Sequence, residues 1–208
     1  EEQLGADLIE ELLAVDRDDA RVASRLMRLG YDLSPGRRHV VIALGGRDAR
    51  TICAIGEALA RDLAWIAGQE YASALSMAYR EHYLCLLSFD AAAGERRLRY
   101  WVQELVSRLP GPCCDLGVSR VSADLAGLAA GVGQALAAWS LGRHIAGRVS
   151  PFYWEDLGLY RLLAGLRDQA DLRRFYDETL GLLVAYDAAH NTDLVPTLEA
   201  FFEQNANA

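Results

Sequence analysis

The sequence predicts an α+β chain: an antiparallel-containing sheet with helices packed on it, followed by an all-helical carboxy-terminal segment. Three observations predict it. A continuous apolar run, His39 to Leu44, sits between Pro35-Gly36 and Gly45-Gly46, as suits a central strand buried on both faces. Two strand-like runs, Tyr71 to Tyr79 and His82 to Phe89, are separated only by Arg80-Glu81, the spacing of a tight hairpin. From Glu155 onward the apolar residues recur at helical spacing.

Taken in order, residues 4–30 read as one or two helices. Leu8, Ile9, Leu12 and Leu13 form one stripe, and Val22, Leu26 and Leu29 form the next. Asp16 to Asp19 is a charged joint between them, and Gly30 is placed to cap the second. This lead-in, residues 1–34, is able either to pair with another chain or to pack on its own sheet. After the first strand, Ile52, Ile55, Leu59, Leu63 and Ile66 keep helical register. Beyond the hairpin, Leu98, Trp101, Val102, Leu105 and Leu109 make another helix, stopped by Pro110-Gly111-Pro112. Cys114 to Ser119 is a short strand, Leu125 to Ile145 a helix of small residues, and Val149 to Tyr153 a final strand. The order β-α-β-β-α-β-α-β fills residues 35–154.

Residues 155–208 read as helices. The first carries Leu159, Leu162, Leu163 and Leu166. In the second, Leu172, Phe175, Tyr176, Thr179, Leu180 and Leu183 form one continuous stripe. A polar turn follows from Asp187 to Asp193, in which Asn191 or Thr192 is able to cap the next helix. That helix shows Leu194, Leu198, Phe201 and Phe202, with Pro196 tolerated because it falls in the first turn. The stripe ends in Gln-Asn-Ala-Asn-Ala with no partner for it downstream, so these four apolar residues are the candidate interdomain or partner-contact face. Asp187, His190, Thr192 and Asp193 are the candidate structural turn, held by caps and side-chain bonds of about 1 kcal/mol each.

Composition narrows the function. The chain has 208 residues, enough for one good core, or for one domain with a helical appendage. All 21 basic residues are Arg, the formal net charge is −8, and residues 151–208 carry ten acidic side chains against four Arg. Binding DNA requires basic side chains that displace counterions from phosphates, so the chain as it stands is not expected to bind DNA. The longest weakly polar run, Leu125 to Trp139, is about fifteen residues where a membrane span needs about twenty, which predicts a soluble protein. Cys53, Cys85, Cys113 and Cys114 lack C-x-x-C spacing and read as core thiols in a reducing cytoplasm.

No catalytic constellation stands out. His39, His82, His144 and His190 are far apart, with no i, i+4 pair to hold a metal, and no paired carboxylates or Ser-His-Asp arrangement rises above chance. Gly45-Gly46 before a helix is able to present N–H groups to a phosphate, but a strand-to-helix turn needs glycine anyway. Gly127 and Gly131, four apart, suit a close-packing face of the helix they share. No cofactor and no metal are expected.

Two resemblances sharpen this reading. Phe152, Tyr153, Glu155, Asp156, Leu157, Gly158, Leu159, Tyr160, Leu162 and Leu163 resemble the linker of the PucR/CdaR family of bacterial transcription regulators. Leu180, Leu183, Tyr186, Asp187, His190, Thr192, Asp193, Leu194, Thr197, Leu198 and Asn205 continue that pattern without gaps. The family's pattern leads into a helix-turn-helix, and nothing like its recognition helix is present here. The element order of residues 35–154 resembles the palm-like fold of the GGDEF nucleotidyl cyclases, of which that family carries a degenerate version.

A working cyclase would need GG(D/E)EF in the hairpin turn, glycines for backbone approach to the nucleotide and carboxylates for divalent metal. The turn here reads Met77-Ala-Tyr-Arg-Glu-His-Tyr83, without glycine and with one carboxylate, Glu81. Where the family places a metal-holding Asp, this chain has Ala43, Leu44 and Gly45. The resemblance therefore implies three parts: a lead-in (1–34), a GGDEF-like regulatory domain (35–154), and a helical linker with the first helix of a truncated DNA-binding domain (155–208). It implies a non-catalytic, cytoplasmic regulatory portion that forms a homodimer, senses a small-molecule effector, or does both, and that reaches DNA only through a helix-turn-helix absent from this chain. The alternative is a degenerate cyclase domain that still senses a guanine nucleotide.

Overall fold

The computed structural model describes residues 2–46, 49–69, 73–109, 114–145, 150–161 and 170–205. The chain divides into two compact units, Glu1–Arg161 and Leu162–Ala208. Unit 1 opens with α1 (Glu2–Leu13) and α2 (Asp19–Arg28), then β1 (Arg37–Gly46), α3 (Ala49–Gln69), β2 (Ser73–Tyr79) and β3 (His82–Asp90). It continues with α4 (Gly94–Ser107), β4 (Cys114–Val118), α5 (Leu125–Gly142) and β5 (Phe152–Tyr153), and a 3-10 turn over Trp154–Leu157. The fold is thus α+β, with the strands in the order β2-β3-β1-β4-β5. All pairings are antiparallel except β4 with β5.

Strand β1 is central because its sequence has nothing to offer water. Val40 to Leu44 are all 1% exposed or less, and consecutive side chains alternate between two cores. Val40, Ile42 and Leu44 join Tyr83, Cys85, Leu87 and Phe89 under α3 and α4, with Trp101 edge-on to Phe89. Val41 and Ala43 join Met77, Leu84 and Leu86 under α1, α2 and α5. The lead-in helices are therefore built into unit 1, and residue 34 does not divide it. Leu8, Ile9, Leu12, Val22 and Leu26 are fully buried on the sheet, each side chain contributing about 1.5–3 kcal/mol. Asp18 caps α2 by accepting from the Ala20 and Arg21 amides, and Gly30, at φ +86°, follows the C-cap Leu29.

Helix α5 is apolar and long enough, at 18 residues, to cross a membrane by composition alone. Here it covers the sheet with Leu128, Ala129, Val132, Ala135 and Ala138 buried. Its small residues let it approach the strands: a Cβ on Gly131 would meet Val41 at 3.1 Å.

Unit 2 holds α6 (Ala170–Thr179), α7 (Gly181–His190) and α8 (Leu194–Asn205). The helix expected from Leu162 and Leu166 falls outside the described residues. The single stripe expected over Leu172–Leu183 is corrected: the helix breaks at Leu180, whose φ opens to −114°. The β-branched Thr179 and Gly181 flank that break, and both have weak helix propensity. None of the described side chains of unit 2 is buried.

Candidate functional site

In the cyclases that the sequence resembles, chemistry belongs to the end of the sheet where the β2–β3 hairpin turns beside the end of β1. Here that end is built differently on both faces. The hairpin closes in two residues, Tyr79 pairing with His82, and Arg80 takes the turn's left-handed position at φ +55°. The turn is tied to α1: the Tyr79 hydroxyl donates to Glu10 at 2.9 Å, and Arg80 pairs with the same carboxylate at 3.3 Å.

On one face, Tyr83, opposite Leu44, lays its ring against Gly56 of α3, where an added Cβ would lie 2.2 Å from the ring. On the other, the Trp139 ring of α5 covers Gly45, where an added Cβ would lie 2.3 Å away. Trp139 also meets His82 edge-on at 4.5 Å, with the Arg143 guanidinium 4.7 Å from its ring centre. The indole Nε1 and His82 Nε2 are both buried, with no hydrogen-bond partner among the described residues. Loss of solvent lowers the His82 pKa against the opposing charge of Glu81, so the ring is neutral at pH 7. Gly45 and Gly46 are strand residues paired with Asp115 and Cys114, and they form no phosphate loop.

The carboxylates at this end do not converge. Burial raises the Asp115 pKa while Arg143, 3.9 Å away, lowers it. Among the described residues no group of three His, Cys, Asp or Glu side chains is placed to hold a metal. His39 is 2% exposed and structural: its Nδ1 lies 3.2 Å from the Tyr31 hydroxyl, which donates to the Leu87 carbonyl at 3.2 Å. A tyrosine has one proton to give, so His39 Nδ1–H is the donor to Tyr31. Cys85 and Cys114 are buried, and burial pushes Cys85 up to about 11, far from the reactive range. Cys113 lies outside the described residues.

In unit 2 the turn residues have distinct parts. Asp187, at the end of α7, accepts from Thr192 Oγ1 at 2.6 Å and from the Leu194 and Val195 amides at 3.0 and 2.8 Å. The cap of α8 therefore comes from the preceding helix. Asn191, expected as a cap for the next helix, instead ends α7 in the left-handed conformation. His190 Nδ1 donates to the Tyr186 carbonyl at 3.1 Å, and its ring stacks on Tyr186 at 4.1 Å. Asp193 contributes its backbone carbonyl, which accepts from Thr197 Oγ1 at 2.6 Å. On α8, Leu194, Leu198, Phe201 and Phe202 are 41, 36, 57 and 61% exposed. Sequence reasoning passed over Tyr83 and Trp139 as site residues. The only signal was small: Gly56 and Gly45 stand where an aromatic ring from a distant element needs room.

A family model described as "GGDEF-like domain" matches residues 15–141. No curated protein matches the chain. Among solved structures, a regulator of polyketide synthase expression from Bifidobacterium adolescentis superposes with a TM-score of 0.54 at 18% identity. The alignment covers 79% of this chain and 63% of the other, so the chain spans under two thirds of that protein. At this identity the likeness concerns the fold.

Proposed function

The chain belongs to the GGDEF-like domain family, and from that premise we propose that it is the non-catalytic regulatory portion of a PucR/CdaR-type transcription regulator. Unit 1 acts as a dimerisation and effector-sensing core in the cytoplasm, and unit 2 carries its state to a helix-turn-helix beyond this chain. The observation that carries the proposal is the filled end of the sheet. Tyr83 and Trp139 pack against Gly56 and Gly45 at the end of the sheet where the cyclases that the sequence resembles carry their motif, and among the described residues no group of three His, Cys, Asp or Glu side chains is placed to hold a metal. The exposed apolar face of α8 supports the second half of the reading, because a face of that kind marks a contact surface. An effector would act through differential affinity for two arrangements of the dimer, and DNA half-sites would read the spacing of the paired helix-turn-helix units.

The test is a fusion. The full chain, joined to a DNA-binding domain that represses only as a dimer, is expected to restore repression at a two-half-site operator. A soluble fusion that fails to repress removes the dimerisation core. Calorimetry with GTP and Mg²⁺ is expected to show no heat and no product. Binding heat without turnover would favour the guanine-nucleotide sensor, and turnover would overturn the non-catalytic reading.

A further inference from the structure

Helix α2 brings Arg25, Arg28 and Leu29 together at i, i+3, i+4 spacing, beside the edge of the sheet. With Gly5 of α1 and with Leu75, Ser76 and Met77 of β2, they line an open groove of about 620 Å³. Small-molecule sites occupy about 300–1,000 Å³. Gly5 brings α1 down onto β2, where an added Cβ would stand 2.7 Å from Met77 Cβ, so the helix backbone itself walls one side.

Three properties of the lining select an occupant. The first is apolar surface: Leu29 is 52% exposed, and Leu75 and Met77 lie across from it. The second is charge. The chain has 21 basic side chains against 29 acidic ones, yet two of the groove's lining residues are Arg and, among the described residues, none is a carboxylate. The two Arg differ in what they already hold. Arg25 donates to Glu11 at 2.9 Å, and Arg21 pairs with the same carboxylate at 2.7 Å. Arg28 is exposed and makes no hydrogen bond or ion pair among the described residues.

The third property is one outward backbone donor. The hairpin closes on a hydrogen-bonded pair, Tyr79 with His82, so by alternation Met77 and Leu75 bond to β3 and the Ser76 N–H points outward. The Ser76 side chain bonds Cys85 on the opposite face of the sheet, so Ser76 shows the groove its backbone. A strand adding to this edge would also need the outward groups of Ala74 and Ala78, and neither residue lines the groove. One donor suits a small ligand.

Resting on the reading of unit 1 as an effector-sensing core, we infer that this groove binds a small apolar monocarboxylate, of the alkanoate or aryl-alkanoate class. Its carboxylate takes the Arg28 guanidinium and the Ser76 amide as donors, and its tail lies along Leu29, Leu75 and Met77. The charge-assisted bonds fix the head group, and burial of the tail adds affinity without direction. An alcohol of the same length lacks the first of these. A dicarboxylate would have to desolvate a second charge against apolar side chains.

The experiment is calorimetry of the full chain with octanoate and with octan-1-ol, repeated on Arg28→Gln with far-UV circular dichroism as the folding control. Octanoate is expected to bind the wild-type chain about tenfold more tightly than octan-1-ol, or better. Arg28→Gln is expected to keep the fold, to remove that advantage, as loss of a charged hydrogen-bond partner does, and to leave octan-1-ol unchanged. A second measurement needs no variant: in the amide NMR spectrum of the wild-type chain, octanoate is expected to shift Ser76 and Leu29. Equal affinity of the two compounds for the wild-type chain overturns the carboxylate site. So does octanoate that binds Arg28→Gln undiminished, or that leaves the Ser76 amide in place. No heat below about 1 mM, with the fusion still repressing as a dimer, overturns this inference and leaves the dimerisation reading standing. Heat and a Ser76 shift without any change in repression keep the groove as a binding site and remove the effector-sensing reading.

Discussion

Replacing Gly56 by alanine tests whether the Tyr83 ring holds the space assigned to it. The new methyl would sit 2.2 Å from Tyr83 Cγ, about 1.2 Å inside the 3.4 Å at which ordinary contact begins. Tyr83 is 8% exposed and packed among Leu44, Ile52 and Leu59, so the ring has little room to retreat. Overpacking of this kind costs about 1–3 kcal/mol, and an overlap this large belongs near the top of that range. Against it, alanine gains about 1 kcal/mol over glycine in a helix interior. The net expectation for Gly56→Ala is a loss of about 2 kcal/mol. In a Tyr83→Ala background, which itself costs about 3–5 kcal/mol, the clash is gone and the same substitution should stabilise by about 1 kcal/mol. The coupling is then about 3 kcal/mol, at the upper end for residues in contact. Urea unfolding followed by tryptophan fluorescence reports unit 1, because all four Trp (Trp65, Trp101, Trp139 and Trp154) lie within it. If Gly56→Ala costs the same in both backgrounds, the ring does not occupy that space, and the filled site loses half its basis.

Three further outcomes follow from the geometry. Tyr31→Phe leaves His39 Nδ1 without its buried partner, while the Leu87 carbonyl keeps the Val40 amide opposite it, and should cost about 1–3 kcal/mol in urea unfolding; a change below 0.5 kcal/mol, about the ordinary surface range, would contradict the network. Burial lowers the folded pKa of His39, so between the unfolded value near 6.5 and that lower value only the unfolded chain holds the proton. Stability is therefore complete above about pH 6.5 and is lost as pH falls through the folded pKa; the melting temperature should drop between about pH 7 and 5, less steeply in His39→Gln, and equal slopes would show that other groups set it. Asp187→Ala removes the acceptor for Leu194 and Val195, and faster exchange of those two amides is expected, with the rest of the chain unchanged. Because the Thr192 hydroxyl and those amides hold its pKa below the usual carboxylate range, acid should release the same amides only below about pH 4.

How far the fold was legible depends on the range of each interaction. Val40 to Leu44 announced a buried strand because burial on both faces leaves no polar alternation, and Arg80-Glu81 fixed the hairpin because loop length sets register. The lead-in was ambiguous: an apolar stripe states that a helix needs a partner without naming it, and the partner is the sheet's own Met77 face. The break at Leu180 was hidden because the apolar spacing continues straight through it. The filled site was hidden for another reason. Trp139 meets Gly45 from 94 positions away, and a glycine in a strand signals only that something comes close. The cap of α8 followed the same logic, since Asp187 reaches across seven and eight residues to amides that local rules assign to Asn191 or Thr192.

That reach makes the joint a ruler. A carboxylate near the end of one helix closes the start of the next, so the three residues Asn191 to Asp193 hold a fixed count between them. Adding one residue there would carry the Leu194 and Val195 amides out of register with the Asp187 carboxylate and leave the first turn of the following helix uncapped. Gene-level insertions should therefore be far harder to accept at this hinge than in an ordinary surface connection of the same length.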